Sequence, residues 1–367
     1  MDNPPLSIGL SERSAFVTLD GRPVIFAETR QAIYEPNASA AVLLDRLKTP
    51  IPLASLHEHL LPAFAGGAAE LERLLVDWSA AGLIDVFSEA PPSPAFANRG
   101  VGLPLGKESA ILHAHGEDPE WFATFAYLPD AQSGELSADV WSFGGLGIVR
   151  IADRPAQIVP RNQIAAALRF SLVEAILQGT DCIALHGACL ITEDRAILLL
   201  GAPGAGKSTL AMFASDCGMA LAGDDIVLFD PRSGTVMPLA LPLTLKQGSW
   251  PMIAATGWRN DPATPVDRMD GVTVKYLPLR QPVAETPLEI AALIRLDRSG
   301  DGRARLAPWS GTDCLRHFCS EARSTSGKAS IEDIRAMVDV IADAETLTIS
   351  YSDAEEAGRL LGTRFAR

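Results

Sequence analysis

Residues 201–209 read Gly-Ala-Pro-Gly-Ala-Gly-Lys-Ser-Thr, and no other stretch of the chain restricts its fold so tightly. The run fits G-x-x-x-x-G-K-[ST] at Gly201, Gly206, Lys207 and Ser208. Such a loop works only between a buried strand and a helix, in that order. Both flanks comply. Ala196-Ile197-Leu198-Leu199-Leu200 is apolar enough for a strand covered on both faces. Leu210-Ala211-Met212-Phe213-Ala214 can open a helix directly afterwards. An α/β arrangement follows for this part of the chain. The glycines let backbone N–H groups curl around phosphate oxygens with no Cβ in the way. Gly201, Ala202, Pro203, Gly204, Ala205, Gly206 and Thr209 are therefore expected nucleotide contacts. Lys207 is expected to reach the β- and γ-phosphates and the Ser208 hydroxyl to ligate Mg²⁺. The helix points its positive end at the anion. ATP and Mg²⁺ are the expected cofactors.

Composition narrows the partners. Net charge is −14 with no basic stripe, which argues against a duplex nucleic-acid binder. A nucleotide pocket needs only a few local positive groups. The five cysteines are odd in number and scattered, so no disulfide framework is suggested. Met1-Asp2-Asn3-Pro4-Pro5 does not open a signal peptide, and no apolar stretch approaches membrane-spanning length. The reading is a cytoplasmic protein with no nucleic-acid or membrane partner; a homo-oligomer stays open.

Residues 89–107 are dense in proline and glycine and are expected to be a linker between a domain over 1–88 and a second over 108–367. The first domain opens with strand-like pieces, Ala15–Leu19, Pro23–Phe26 and Gln31–Tyr34. Asn37 then caps a helix with Val42, Leu43 and Leu47 on its apolar face. A second helix begins at Ser55 or Leu56. A third runs from Ala68 to Ala81 with Leu71, Leu74, Leu75 and Trp78 at i, i+3, i+4 and i+7, and Gly82 stops it. Strands followed by three helices read as a small winged-helix α+β domain. The strand, the Asn-Ala-Ser-Ala-Ala helix entry and the Ala-Ala-Gly-Leu-Ile helix end resemble the PqqD-like peptide-recognition domain of peptide-modification systems. That resemblance implies a leader peptide added as a strand beside Gln31, Ala32, Ile33 and Tyr34. The peptide would pack on the third helix through Leu71, Leu75 and Trp78.

In the second domain the spacing predicts strands at 123–127, 147–151, 183–185, 226–229, 290–296 and 347–351, and helices over 163–177 and 331–341. Leu185-His186-Gly187 stands upstream of the loop and Gly223-Asp224-Asp225-Ile226 downstream. His186 precedes Lys207 by 21 residues, and Asp224 follows it by 17. This constellation resembles the HPr kinase/phosphorylase family, and most closely its smaller branch beside peptide-modification genes. Pro242–Gln247, Thr273–Pro278 and Tyr351–Ala357 also recur there. No glutamate-containing glycine-rich stretch of the true HPr kinases is placed in this sequence, so HPr itself and phosphorylase activity are not carried over. The expected architecture is thus a P-loop HPr-kinase-like domain preceded by the PqqD-like one.

The chemistry can be argued from the residues alone. Phosphoryl transfer is mostly positioning and charge neutralisation. Mg²⁺ needs an acidic partner beside Ser208, and an acceptor hydroxyl needs a carboxylate for its proton. Asp224 and Asp225 can fill both roles. By resemblance Asp224 is the acid/base, Asp225 holds the metal, and His186 lines the phosphate site. Lys246 is a candidate phosphate or acceptor contact. The expected activity is ATP-dependent phosphorylation of a side chain, serine or threonine by resemblance, on a precursor peptide. A small-molecule or saccharide kinase and a non-catalytic nucleotide-gated binder remain as alternatives. His57-x-His59 and His113-x-His115 have no carboxylate or cysteine at metal-ligand spacing, Cys314, His317 and Cys319 lack a fourth ligand, and none is taken as a metal site. Gly144-Gly145-Leu146-Gly147 is too weak for a second nucleotide site.

Overall fold

The computed structural model describes residues 6–64, 66–88, 99–105, 108–115, 120–125, 127–131, 133–260, 263–280, 286–298, 302–324 and 327–366. The chain divides into two compact units. One comprises Met1–Val101, Ile111–Phe122 and Asp130–Leu168; the other comprises Gly102–Ala110, Ala123–Pro129 and Arg169–Arg367. The division differs from the one expected at 89–107. Residues 89–98 and 106–107 lie outside the described residues, while Arg99–Leu105 is a strand. Residues 130–168, expected in the second domain, belong with the first.

The first unit begins with two three-stranded antiparallel sheets. Leu6–Leu10 pairs with Ile51–Pro52 and Ile84–Ser88, and Arg22–Ala27 pairs with Ser14–Leu19 and Ala32–Tyr34. Three helices follow the expected order: Ala38–Leu47, Leu56–Leu60 and Gly67–Ala81. Asn37 caps the first, its Oδ1 accepting from the Ala40 N–H at 2.9 Å. Gly82, at φ 72°, ends the third in the left-handed conformation that glycine adopts without strain. Leu71, Leu75 and Trp78 face inward. Leu71 and Leu75 are 0% exposed, and both pack with Leu43, Leu47, Trp141, Ile148 and Ile158 in one core. They cannot line an open peptide groove, because the period that makes the helix amphipathic has already committed that face to the core.

Leu136–Phe143, Leu146–Ile151 and Gln157–Pro160 of this unit continue a meander with Glu108–His115 and Arg99–Leu105, two strands that the division cuts after Ala110 and Val101. Gly144-Gly145 is the two-residue hairpin turn between Phe143 and Leu146, with Gly144 at φ 55°. The strand expected at 123–127 is absent. Glu120–Phe125 is a 3₁₀ turn. Trp121, Phe122, Phe125 and Leu128 are the buried residues, a spacing of three to four that suits a helical turn rather than a pleat.

The second unit is built on a nine-stranded mixed sheet. Its heart is three parallel strands: Leu288–Asp297 lies between Arg195–Leu200 on one side and Glu345–Ser350 on the other. Arg195–Leu200 is the apolar strand expected before the glycine loop, and Lys207–Asp216 is the helix after it. Ile331–Asp343 extends the expected helix by two residues and carries a Ser330/Asp333 capping box. The final helix, Ala354–Phe365, lies against Lys207–Asp216. Gly358 and Gly362 make that approach possible. A Cβ on Gly358 would sit 2.6 Å from Phe213 Cβ, and one on Gly362 would sit 2.8 Å from Cys217 Cβ. A smaller sheet of Leu243–Lys246, Thr273–Leu277 and Pro265–Asp267 completes the unit.

Candidate active site

The glycine loop leaves the carboxyl end of a central parallel strand, where open α/β sheets place their ligands. Gly204 (φ 83°) and Gly206 (φ 95°) take left-handed conformations that would strain any other residue. Lys207 is 5% exposed. Its Nζ donates to the carbonyls of Gly201 at 2.7 Å and Ala202 at 3.2 Å, so the ammonium is folded into the loop it serves. Burial lowers its pKa, against the opposing pull of Glu321, Asp224 and Asp225.

The loop opens on a cavity of about 470 Å³ lined by His186, Lys207, Ser208, Asp225, Lys246 and Arg268, among others. The residues singled out around the loop therefore converge, with Pro203, Gly204, Gly206 and Thr209 on the same wall. Gly201, Ala202 and Ala205 of the loop do not line it, and neither does Asp224, which is 1% exposed. The strand Ala220–Asp224 ends at Asp224, and Asp225 takes φ 69°, so the two carboxylates part company. Asp224 Oδ2 accepts from the Thr244 N–H at 2.8 Å, while its Oδ1 is buried without a hydrogen-bond partner. Burial and the neighbouring Asp225 charge push Asp224 up to about 6, against the Thr244 N–H, Arg169 and the nearby Ser208 hydroxyl.

Asp225 meets a different set. Its Oδ2 accepts from Arg169 Nη1 at 2.9 Å and lies 3.5 Å from Arg268 Nη1, while Oδ1 is 3.5 Å from His186 Nε2. Burial alone would raise its pKa, but Arg169, then Arg268 and His186, outweigh it and bring Asp225 down to about 2. Arg169 also donates to the Asp224 carbonyl at 2.6 Å, so one buried guanidinium pins both members of the pair. His186 is pulled below the ordinary imidazole range by burial and by Lys207, against Asp225 and Glu321. Lys246 stands exposed at the end of Leu243–Lys246.

Arg169 and Arg268 escaped the sequence reading. A signal for Arg169 existed: it is the one cation inside Ile164–Gly179, an otherwise apolar helix that buries it to 6% exposure. A charge there needs a partner. Arg268 carried none, since only the fold of Pro265–Asp267 onto Thr273–Leu277 brings it to the cavity. In the first unit, Ala32–Tyr34 is a short edge strand with Ile33 70% exposed, and Gln31 precedes it at φ 49°.

No protein-family model matches either segment of the chain, and no curated protein matches it. Among solved structures the chain is similar to the HPr(Ser) kinase/phosphatase from Coxiella burnetii, at 11% identity. The alignment covers 49% of this chain and 91% of that one, with a TM-score of 0.22. A likeness this slight says nothing about activity, which has to be argued from the residues of the cavity.

Proposed function

We propose that the second unit is a Mg²⁺-dependent phosphotransferase that moves the γ-phosphate of ATP to a hydroxyl acceptor. The observation that carries this reading is the shared cavity: the lysine-bearing glycine loop and Asp225 face one space, with Asp224 directly behind. The fit to a magnesium–nucleotide is supported by Asp224 Oδ1, a buried carboxylate oxygen without a hydrogen-bond partner, on a carboxyl that also feels the Ser208 hydroxyl. Ser208 and Asp224 would hold the ion, which when bound neutralises charge on the β- and γ-phosphates.

This inverts the roles that the family resemblance implies for the acidic pair. Asp224 is too enclosed to touch an acceptor, whereas Asp225 lines the cavity. Asp225 would orient the acceptor hydroxyl and take its proton as the bond to phosphorus forms. Its low pKa suits that timing, because a loose transition state asks little of a base beforehand. Arg169 holds Asp225 in its left-handed conformation. Lys207 would leave its loop carbonyls for the phosphates, exchanging two neutral acceptors for charged ones. His186 and Lys246 stand on the cavity wall where a transferring phosphoryl group needs donors.

The acceptor we favour is a serine or threonine of a precursor peptide. The exposed edge strand Ala32–Tyr34 supports it, offering unpaired backbone groups to an added leader strand. Tethering of that kind raises the local acceptor concentration, so the cavity need not bind the core tightly. The decisive experiment incubates the protein with ATP, Mg²⁺ and a candidate precursor peptide carrying a leader and a serine- or threonine-bearing core, then weighs the peptide. A gain of one phosphate, lost with Asp225→Asn, is expected. ATP turnover with a sugar or metabolite alone would point to a small-molecule kinase. Leader binding without any transfer would point to a nucleotide-gated binder.

A further inference from the structure

The first unit contains a polar cluster that phosphoryl transfer does not use. His113 and His115 stand two residues apart on Glu108–His115, so both rings leave the same face of the sheet. Asp139 stands on the adjacent strand, Leu136–Phe143, and meets both. Its Oδ1 accepts from His115 Nε2 at 2.8 Å and from His113 Nδ1 at 3.2 Å. The three residues are 4%, 1% and 2% exposed. A strand aligns the two rings, and the carboxylate missing from the local spacing comes from 24 and 26 residues downstream. The cluster thus overturns the expectation that this histidine pair has no ligand partner.

We propose that His113, His115 and Asp139 form a zinc site that ties these two strands together. As a hydrogen-bonded cluster the arrangement is poorly satisfied. Both rings turn on one carboxylate oxygen, Asp139 Oδ1, so two buried imidazoles compete for a single acceptor. A divalent cation at the point of convergence replaces two competing hydrogen bonds with three ligand bonds.

The geometry is close to what such an ion needs. The three ligand atoms lie within 4.8 Å of one another. A tetrahedral ion with bonds of about 2.0–2.2 Å spaces its ligand atoms roughly 3.3–3.5 Å apart. The 2.8 and 3.2 Å pairs therefore have to open by about half an ångström or less, and the two ring nitrogens, within 4.8 Å of each other, have to settle at the same spacing. The ligands are also held from behind. Ser137 Oγ donates to Asp139 Oδ2 at 2.8 Å, which leaves Oδ1 for the ion. The His115 ring is stacked on Trp141, with centroids 4.7 Å apart and planes 12° from parallel. Arg150 lies over the same indole at 5.1 Å, its charge shared between Asp139 and Asp153, which limits the repulsion an ion would meet.

Two imidazoles and one carboxylate form a borderline donor set that suits Zn²⁺, with a solvent molecule taking the fourth tetrahedral position. Mg²⁺ and Ca²⁺ prefer oxygen throughout. The site shares no residue with the nucleotide cavity, so its failure and the failure of the kinase reading are separable.

The test titrates chelator-dialysed full-length protein with ZnCl₂ and measures bound metal and thermal stability. One zinc per chain is expected, with a Tm raised by roughly 5–10 °C at a hundredfold excess over Kd. His113→Gln and Asp139→Asn should each lose that zinc, and Asp225→Asn should keep it. No stoichiometric zinc on the wild type, or zinc kept by both His113→Gln and Asp139→Asn, overturns the proposal. Should those variants fail to fold, anomalous scattering from zinc-soaked wild-type crystals decides. A peak among the three side chains supports the site, and a peak elsewhere or none overturns it.

Discussion

Replacing Asp224 with asparagine should change how stability depends on pH, and the structure fixes both the sign and the size. The carboxyl is fully enclosed, and its pKa rises from 3.8 to about 6. A native pKa above the unfolded value means that the folded state holds the proton more tightly. The associated stability is complete below about pH 4 and drains away as the pH climbs through 6. A shift of about two units corresponds to about 3 kcal/mol in total. About 1.4 kcal/mol of it is lost between pH 5 and pH 7.5, the remainder having gone at lower pH. An asparagine keeps an acceptor for the Thr244 N–H but has no charge to desolvate, so it lacks this slope. His186, shifted downward by burial, gains stability over the same window, but it is common to both proteins and drops out of the difference. The assay is urea unfolding of wild type and Asp224→Asn in EDTA at a series of pH values. Asp224→Asn should gain on the wild type as the pH rises. Adding Mg²⁺ with a non-hydrolysable ATP analogue should flatten the wild-type curve, because a cation beside Oδ1 favours the charged form. Parallel curves from pH 5 to 7.5 would refute the reasoning, since Asp224 would then titrate alike in the folded and unfolded chain.

Three other perturbations separate the parts of the site. Arg169→Met should cost about 2 kcal/mol of stability, less than the 3–5 of a fully enclosed pair because Arg268 stays beside Asp225. It should also move the acid limb of the kcat/KM profile upward as Asp225 loses its partner; an unmoved limb would exclude Asp225 as the titrating group. Gly358→Ala forces a Cβ to 2.6 Å from Phe213 Cβ and should lower stability by about 1–3 kcal/mol, read by thermal melting, and weaken ATP binding with it. Ile33→Asp, on a side chain already in solvent, should leave Tm within about 1 °C while raising KM for the leader-bearing peptide; an unchanged KM would remove this strand from peptide recognition.

The legible parts of the sequence were those set by local physics. The glycine loop, its flanking strand and helix, the Asn37 cap and the Gly82 stop depend on neighbours a few residues away. The illegible parts depend on who meets whom across the chain. Leu71, Leu75 and Trp78 share a face by periodicity, but periodicity cannot say whether that face is closed by a core or left for a peptide. The acidic pair could be located from its spacing, yet the left-handed turn at Asp225 decided which member sees the cavity. The pairing of His113 and His115 with Asp139 lies across two strands, where spacing along the chain carries no message. The grouping of residues 130–168 with the first unit is hidden for the same reason: strands say that they will pair before they say with whom.

The glycine notches of Ala354–Phe365 bear on how the protein comes into being. The phosphate-gripping turn is synthesised well before the element that braces its helix. Until that brace docks, the turn has lost one wall of its support, and a nascent chain should hold nucleotide poorly. Nucleotide competence would then wait on the docking of this helix.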